Sequence, residues 1–155
     1  MELKRDISTW ASLNGLAITV ACDESEMTVF GDVQCRSFLD SPAAYDSWAA
    51  WLAAANLRNL NIAGQRFYVG RYGGTAAGVV LTVLGDGLAG IYAVATKPEF
   101  RKKGISTALM KRAIEDAAKE GCGDITLQVV SGSYAEAFYK KLGFETAFEI
   151  DIFGL

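Results

Sequence analysis

The sequence predicts an α/β fold, a mixed sheet that is mostly antiparallel, contains one parallel pair and is flanked by helices. Three observations predict it. Residues 66–96 hold three apolar runs joined by Gly73-Gly74 and Gly85-Asp86-Gly87, the pattern of an antiparallel meander. Residues 88–130 read as strand, helix, strand, and such a crossover joins parallel strands with a right-handed turn. Residues 27–57 carry helical periodicity ahead of the meander.

Residues 1–14 read as a short helix or extension, because Ile7, Trp10, Ala11 and Leu13 give a weak helical period that Asn14-Gly15 ends. Leu16–Cys22 (LAITVAC) is a strand by its β-branched content. A polar link, residues 23–26, leads into a helix near residues 27–39, which Gly31 weakens. Asp40-Ser41-Pro42 starts the next helix, with Ser41 as N-cap and Pro42 at the first helical position. That helix runs to Leu57, and the spacing of Tyr45, Trp48, Trp51 and Leu52 predicts an aromatic face on the sheet. Residues 66–72, 75–84 and 88–96 are the meander strands. From Gly104 to Glu120, Ile105, Ala108, Leu109, Ala113 and Ala117 mark the buried stripe of a helix. Residues 124–130 form a strand, 134–142 a helix ended by Gly143, and 145–153 a last strand.

The 155 residues suit a single domain, 1–155, with 1–14 as an N-terminal extension. Half the residues are apolar and two are proline, which excludes a disordered chain. No apolar run approaches the roughly 20 residues of a membrane span, and no secretion signal opens the chain. A net charge of −3 argues against nucleic acid as partner. Cys22, Cys35 and Cys122 show no metal-like pairing, so a reduced, cytoplasmic protein without a metal is expected, with Cys122 a small buried filler. The chain has no histidine, which removes Ser-His-Asp and Cys-His triads together.

Arg101-Lys102-Lys103-Gly104-Ile105-Ser106 places three positive charges and a glycine where a helix begins. First-turn amides lack intrahelical acceptors, and the helix dipole adds positive potential there. Such a start suits a diphosphate, although a solvated turn also explains the charges. Residues 94–106 resemble the acyl-CoA-binding motif of the GNAT N-acetyltransferases, with the core Arg/Gln-x-x-Gly-x-Gly/Ala. Residues 135–144, ending Phe138-Tyr139-Lys140-Lys141-Leu142-Gly143-Phe144, resemble that family's second signature, Leu-Tyr-x-x-Leu-Gly-Phe. The two stand in order, one helix and one strand apart.

The resemblance implies a sheet whose parallel strands splay around acetyl-CoA. It implies that main-chain groups of Ala93, Val94, Ala95 and Thr96 bind the pantetheine arm, and that amides of Arg101, Lys102, Lys103, Gly104, Ile105 and Ser106 hold the pyrophosphate. It makes Tyr139 the general acid for the departing thiolate, against the plainer reading of a ring packed with Phe138 and Leu142. Ser106 stands where the family usually has glycine or alanine. Gly132 stands where many members carry an arm-orienting asparagine, for which Ser131 or Ser133 would substitute. The base stays open among Asp86, Glu99 and Tyr92; if strand alternation holds, Tyr92 points with Val94 and Thr96. Trp48 and Trp51, with Phe30, Phe38 and Tyr45, either line an acceptor pocket or pack in the core.

The implied activity is transfer of acetyl from acetyl-CoA to a primary amine of a small molecule or peptide. The alternative is a non-catalytic acyl-CoA sensor. A homodimer through the last strand or the N-terminal segment follows from the resemblance alone.

Overall fold

The computed structural model describes residues 1–39, 45–151 and 153. The elements are β1 (Glu2–Leu3), β2 (Leu16–Val20), α1 (Glu24–Phe38), α2 (Tyr45–Leu57), β3 (Gln65–Tyr72), β4 (Thr75–Gly85), β5 (Leu88–Thr96), α3 (Ile105–Lys119), β6 (Asp124–Leu127), α4 (Tyr134–Leu142) and β7 (Phe144–Glu145), with short 3-10 turns at Ile7–Thr9 and Pro98–Phe100. One seven-stranded sheet runs β2-β3-β4-β5-β6-β1-β7. Its one parallel pair is β5 with β6, joined through α3, as the strand-helix-strand pattern predicts. The expected helix start at Ser41-Pro42 lies outside the described residues.

Two cores sandwich the sheet. On one face α3 buries Ile105, Leu109, Met110, Ala113 and Ala117 with Tyr68, Val80, Ile91, Leu127 and Phe144. Leu109 and Met110 are fully enclosed, each worth roughly 1.5–3 kcal/mol. Two glycines let α3 lie this low: a Cβ on Gly78 would come within 2.9 Å of both Ile105 Cγ2 and Leu109 Cδ1, and one on Gly70 within 3.2 Å of Leu109. On the other face α1 buries Met27, Phe30 and Val33 against Phe67, Val69, Val79 and Ala95. Asp23 caps α1, its carboxylate accepting from the amide of Glu26 at 2.9 Å. Cys122 is buried, as expected of a filler. Among the described residues no helix is long and apolar enough to cross a membrane.

Four expectations need correction. Residues 2–3 are not helical; they form a strand between β6 and β7, with Glu2 opposite both Thr126 and Glu145. Strand β6 ends at Leu127 rather than Val130. The final strand is only Phe144–Glu145, because it pairs with β1 in the register Leu3↔Phe144 and Glu2↔Glu145, and 146–151 run past β1 to where β6 has also ended. Helix α2 packs on α1 rather than on the sheet, and Trp48 and Trp51 are about half exposed. Gly31, expected to weaken α1, permits that packing, since a Cβ there would meet Ala53 N at 2.8 Å and Ala49 O at 2.9 Å.

Candidate active site

The site begins where two strands part. β5 and β6 pair from Leu88↔Asp124 to Ile91↔Leu127 and no further. Beyond that point β5 continues along β4 to Thr96, while 128–130 leave the ladder. The β5 edge from Tyr92 to Thr96 therefore has no strand partner on its β6 side among the described residues, and its backbone polar groups there suit an outside partner. A register shift between Val79 and Leu81 marks a bulge here, with Ala93 at φ 50°.

That bulge breaks the alternation expected of Tyr92. Tyr92 pairs with Leu81 and lies on the α1 face, as do Ala93 and Ala95; Val94 packs into the α3 core. Thr96 also faces α3, its Oγ1 2.6 Å from Ser106 Oγ. Tyr92 thus stands on the opposite face from Val94 and Thr96, beside the gap, and is 40% exposed. Asp86, in the β4–β5 turn, is six residues back along the sheet, roughly 20 Å from Tyr92. It is too remote to serve as the base. Glu99 is exposed on the 3-10 turn beyond Thr96.

Immediately past this edge the chain makes a cluster of amides. Pro98 opens the 3-10 turn, Lys102 (φ 61°) and Gly104 (φ 83°) adopt left-handed conformations, and α3 starts at Ile105. The amides of 102–107 meet no acceptor among the described residues. The amide of Arg101 donates to Pro98 O at 3.2 Å, so it leaves the predicted set. Alternating left-handed backbone with a helix N-terminus behind it is a geometry that suits an anion.

The basic side chains behave differently from their backbones. Arg101 is a clamp: Nε donates to Thr96 O at 3.2 Å and a terminal nitrogen to Ser37 O at 2.9 Å, tying α1 to the loop. Lys103 Nζ lies 5.3 Å from the Phe100 ring centroid and 5.6 Å from that of Tyr72. Lys97, missed by the sequence reading, bridges to Asp32 of α1 at 2.9 Å.

Across the gap, the 131–133 loop is held by its own polar groups. Ser133 is the N-cap of α4 and accepts from the Glu136 amide at 3.1 Å. The Glu136 carboxylate accepts from the Gly132 amide at 2.8 Å and pairs with Lys140 at 2.6 Å; Lys140 first, then that amide, hold its pKa below the usual range. Ser133…Glu136 has the sequence of a capping box, but Glu136 reaches back to the Gly132 amide while that of Ser133 donates to Val130 O at 3.2 Å. Ser131 donates to Glu149 at 3.1 Å.

Tyr139 faces inward from α4, 8% exposed, with ring centroids of Phe138 and Phe144 at 5.3 and 5.9 Å. It shares the α3 core with Val94 and Val129, which flank the gap. Burial pushes its pKa up to about 12. Its hydroxyl has no partner among the described residues, yet it is not a fully enclosed orphan. A proton held this firmly stays on the phenol across the neutral range.

Comparison with known proteins agrees with this geometry. Residues 29–144 match the model of the acetyltransferase (GNAT) family. An uncharacterized N-acetyltransferase of Methanocaldococcus jannaschii is 46% identical over 59 residues, 37% of this chain; the match spans 26% of that relative's length. An aminoglycoside N-acetyltransferase in complex with CoA superposes with a TM-score of 0.73 at 13% identity, over 90% of this chain and 94% of the other. The ribosomal-protein-S18-alanine N-acetyltransferase of Escherichia coli gives 0.68 at 21% identity, over 86% and 79%.

Proposed function

This chain belongs to the acetyltransferase (GNAT) family, and from that premise we propose that it transfers acetyl from acetyl-CoA directly to a primary amine. The observation that carries this reading is the unpaired β5 edge leading straight into the free amides of 102–107. A long polar arm ending in a diphosphate needs that sequence of partners: extended main chain, then clustered N–H donors. The residues fit the substrate. Main-chain groups of Ala93–Thr96 would take the arm, and amides of Lys102–Ser106 the pyrophosphate.

The chain then contributes position and a proton donor. Holding amine and thioester together supplies up to about 7–11 kcal/mol. Tyr139 donates its phenolic hydrogen toward the sulfur as the carbon–sulfur bond breaks, a contribution of about 3–5 kcal/mol. Its pKa of about 12 exceeds that of a thiol, about 8.5, so in water the full transfer would run uphill. Burial that raises Tyr139 also raises the basicity of a thiolate beside it, which narrows the difference. The amine approaches from the α1 face, where Tyr92 is exposed, and gives up its proton to solvent or Glu99. Structural neighbours are named for aminoglycoside and protein alanine acceptors, which supports an amine of a small molecule or of a protein as the acceptor here.

The test is a calorimetric titration with CoA, followed by thiol release from acetyl-CoA across a panel of amines. Binding with amine-dependent thiol release is expected. No association at millimolar CoA overturns the reading, and binding without turnover for any amine replaces the enzyme with an acyl-CoA sensor.

A further inference from the structure

Strand β5 sets Leu88, Gly90 and Tyr92 on the α1 face of the sheet, because Ala89 and Ile91 between them point into the α3 core. Beside them on β4, Val83 pairs with Gly90 and Leu81 with Tyr92. The α1 core reaches Leu81 but leaves the rest open: Val83 is 37%, Leu88 43% and Tyr92 40% exposed. Exposed apolar residues alone say little. The contact between Gly90 and Tyr92 says more. A Cβ on Gly90 would stand 2.5 Å from Tyr92 Cε2 and 2.9 Å from its hydroxyl oxygen, so the ring folds back along the strand over a residue that has no side chain. The Tyr92 hydroxyl has no hydrogen-bond partner among the described residues.

Folding toward Gly90 takes the ring away from the gap, which opens beyond Ile91↔Leu127. An arm laid along Ala93–Thr96, with its diphosphate at 102–106, brings its far end, the thioester, to Tyr92. Val94 and Tyr139 fill the α3 face there, so an acceptor reaches that end across the α1 face, over the strip from Leu88 to Tyr92. The strip is about 13 Å long. The backbone beneath it is committed on both sides, to β4 and to β6, so it offers hydrocarbon area and few hydrogen bonds. An aminosugar or an extended peptide would find no free amide or carbonyl there, whereas a hydrocarbon body needs none. The polar points are the hydroxyls of Tyr92 and of Thr126, which pairs with Gly90. Beyond β6 the same face turns charged, where Glu2 and Lys4 bridge each other.

Resting on the acetyl-transfer reading above, we propose that this strip is the acceptor surface, that Tyr92 is its specificity-determining residue, and that the acceptor is a small primary amine on an apolar body, an arylalkyl or alkyl amine. The carbon body lies on Val83, Leu88 and the Tyr92 ring, while the nitrogen projects past the ring to the acetyl carbon. Gly90 sets the height of that platform, because a side chain there lifts the ring into the acceptor's path. Tyr92 contributes area rather than a proton, so its ring is required and its hydroxyl is dispensable.

Turnover by the full chain at saturating acetyl-CoA tests this, with alkyl amines from ethylamine to octylamine beside 2-phenylethylamine, ethanolamine and glucosamine. Apparent kcat/KM should rise about twofold per methylene, since one side of the chain stays in water, and level off near the length of the strip. 2-Phenylethylamine should exceed ethanolamine by about tenfold or more. Tyr92→Ala should raise the KM for 2-phenylethylamine about tenfold, with kcat and CoA affinity within about threefold, and Tyr92→Phe should match the wild type. Gly90→Ala should penalise 2-phenylethylamine more than ethylamine, a ratio that a general loss of fold would not move. A preference for ethanolamine or glucosamine, a flat alkyl series or an unchanged KM in Tyr92→Ala overturns the inference while acetyl transfer stands. A collapse of kcat in Tyr92→Phe overturns it too, because the hydroxyl would then take part in the chemistry. Failure with every amine falls on the acetyl-transfer reading itself and takes this inference with it.

Discussion

At the residue scale, Ser106 shows how a departure from a motif can be absorbed. Its hydroxyl neither crowds the turn nor waits for a phosphate; it bonds Thr96 and links α3 to the end of β5. Ser106→Gly should therefore cost about 1–2 kcal/mol through the lost hydrogen bond and the flexible first turn, with CoA affinity within about threefold, as chemical denaturation and calorimetry would show. Tyr139 carries the opposite expectation. Tyr139→Phe removes one oxygen from an apolar site, so folding should change little while turnover falls about 10²–10⁴-fold at unchanged CoA affinity. Since its pKa is pushed up to about 12, the wild-type rate should show no decline from phenol ionisation below about pH 10. Wild-type turnover in the phenylalanine variant would remove Tyr139 from the chemistry. A basic limb near pH 9 would instead show that burial leaves the phenol less protected than its surroundings indicate.

Among the elements, those with long periodic signals are legible in the sequence alone. The meander, the crossover through α3 and the Gly143 stop all stand where spacing and turn chemistry place them; Gly143 has φ 97°. β1 was not legible, since two residues carry no period and Glu2 and Leu3 extend only because β6 and β7 leave a strand-wide place between them. The end of the chain failed for the converse reason. Phe148 and Ile150 alternate with Glu149 and Asp151 as in a strand, but pairing needs a free edge in register. At the site, the backbone of 102–106 could be read from glycine and helix start, whereas the reach of Arg101 to Ser37 could not, because that carbonyl comes from α1. The seam between α4 and β1 gives a direct test. Gly143 O accepts from the Lys4 amide at 3.0 Å, and a Cβ on Gly143 would overlap that of Arg5. Gly143→Ala should destabilise the fold by about 2–4 kcal/mol and expose the Lys4 amide to faster hydrogen exchange. Unchanged stability would mean that β1 docks elsewhere in solution.

For the whole molecule, the charge pattern dictates how stability follows pH. Asp32 feels burial pushing it up, but hydrogen bonds from Lys97 and Arg36 outweigh that and hold it below the usual carboxylate range. Asp116 is held down likewise by Arg112 and Lys119 against its own burial, and Glu136 by Lys140 and the Gly132 amide. A carboxylate depressed in the folded state contributes stability that is complete above its unfolded value, about 4, and is lost as pH falls through the folded one. Tyr139 and Tyr68 act at the other end. Burial raises both, with Asp116 adding to Tyr68, so the stability linked to their neutral forms is complete below about pH 10 and disappears above it. Between these limits nothing of the usual kind titrates, because the chain has no histidine. Burial also raises the Cys35 thiol, whose contribution to stability is complete below its unfolded value, about 8.5, and declines above it. The unfolding temperature should accordingly be flat from about pH 5 to 8 and fall on both sides. The acid fall should be shallower in Asp32→Asn, which lacks one of the depressed carboxylates that must be protonated, though the variant starts from a lower plateau. Scanning calorimetry across the range checks both features. A slope of several degrees between pH 6 and 8 would require an ionisable group in the fold that these carboxylates and phenols do not supply.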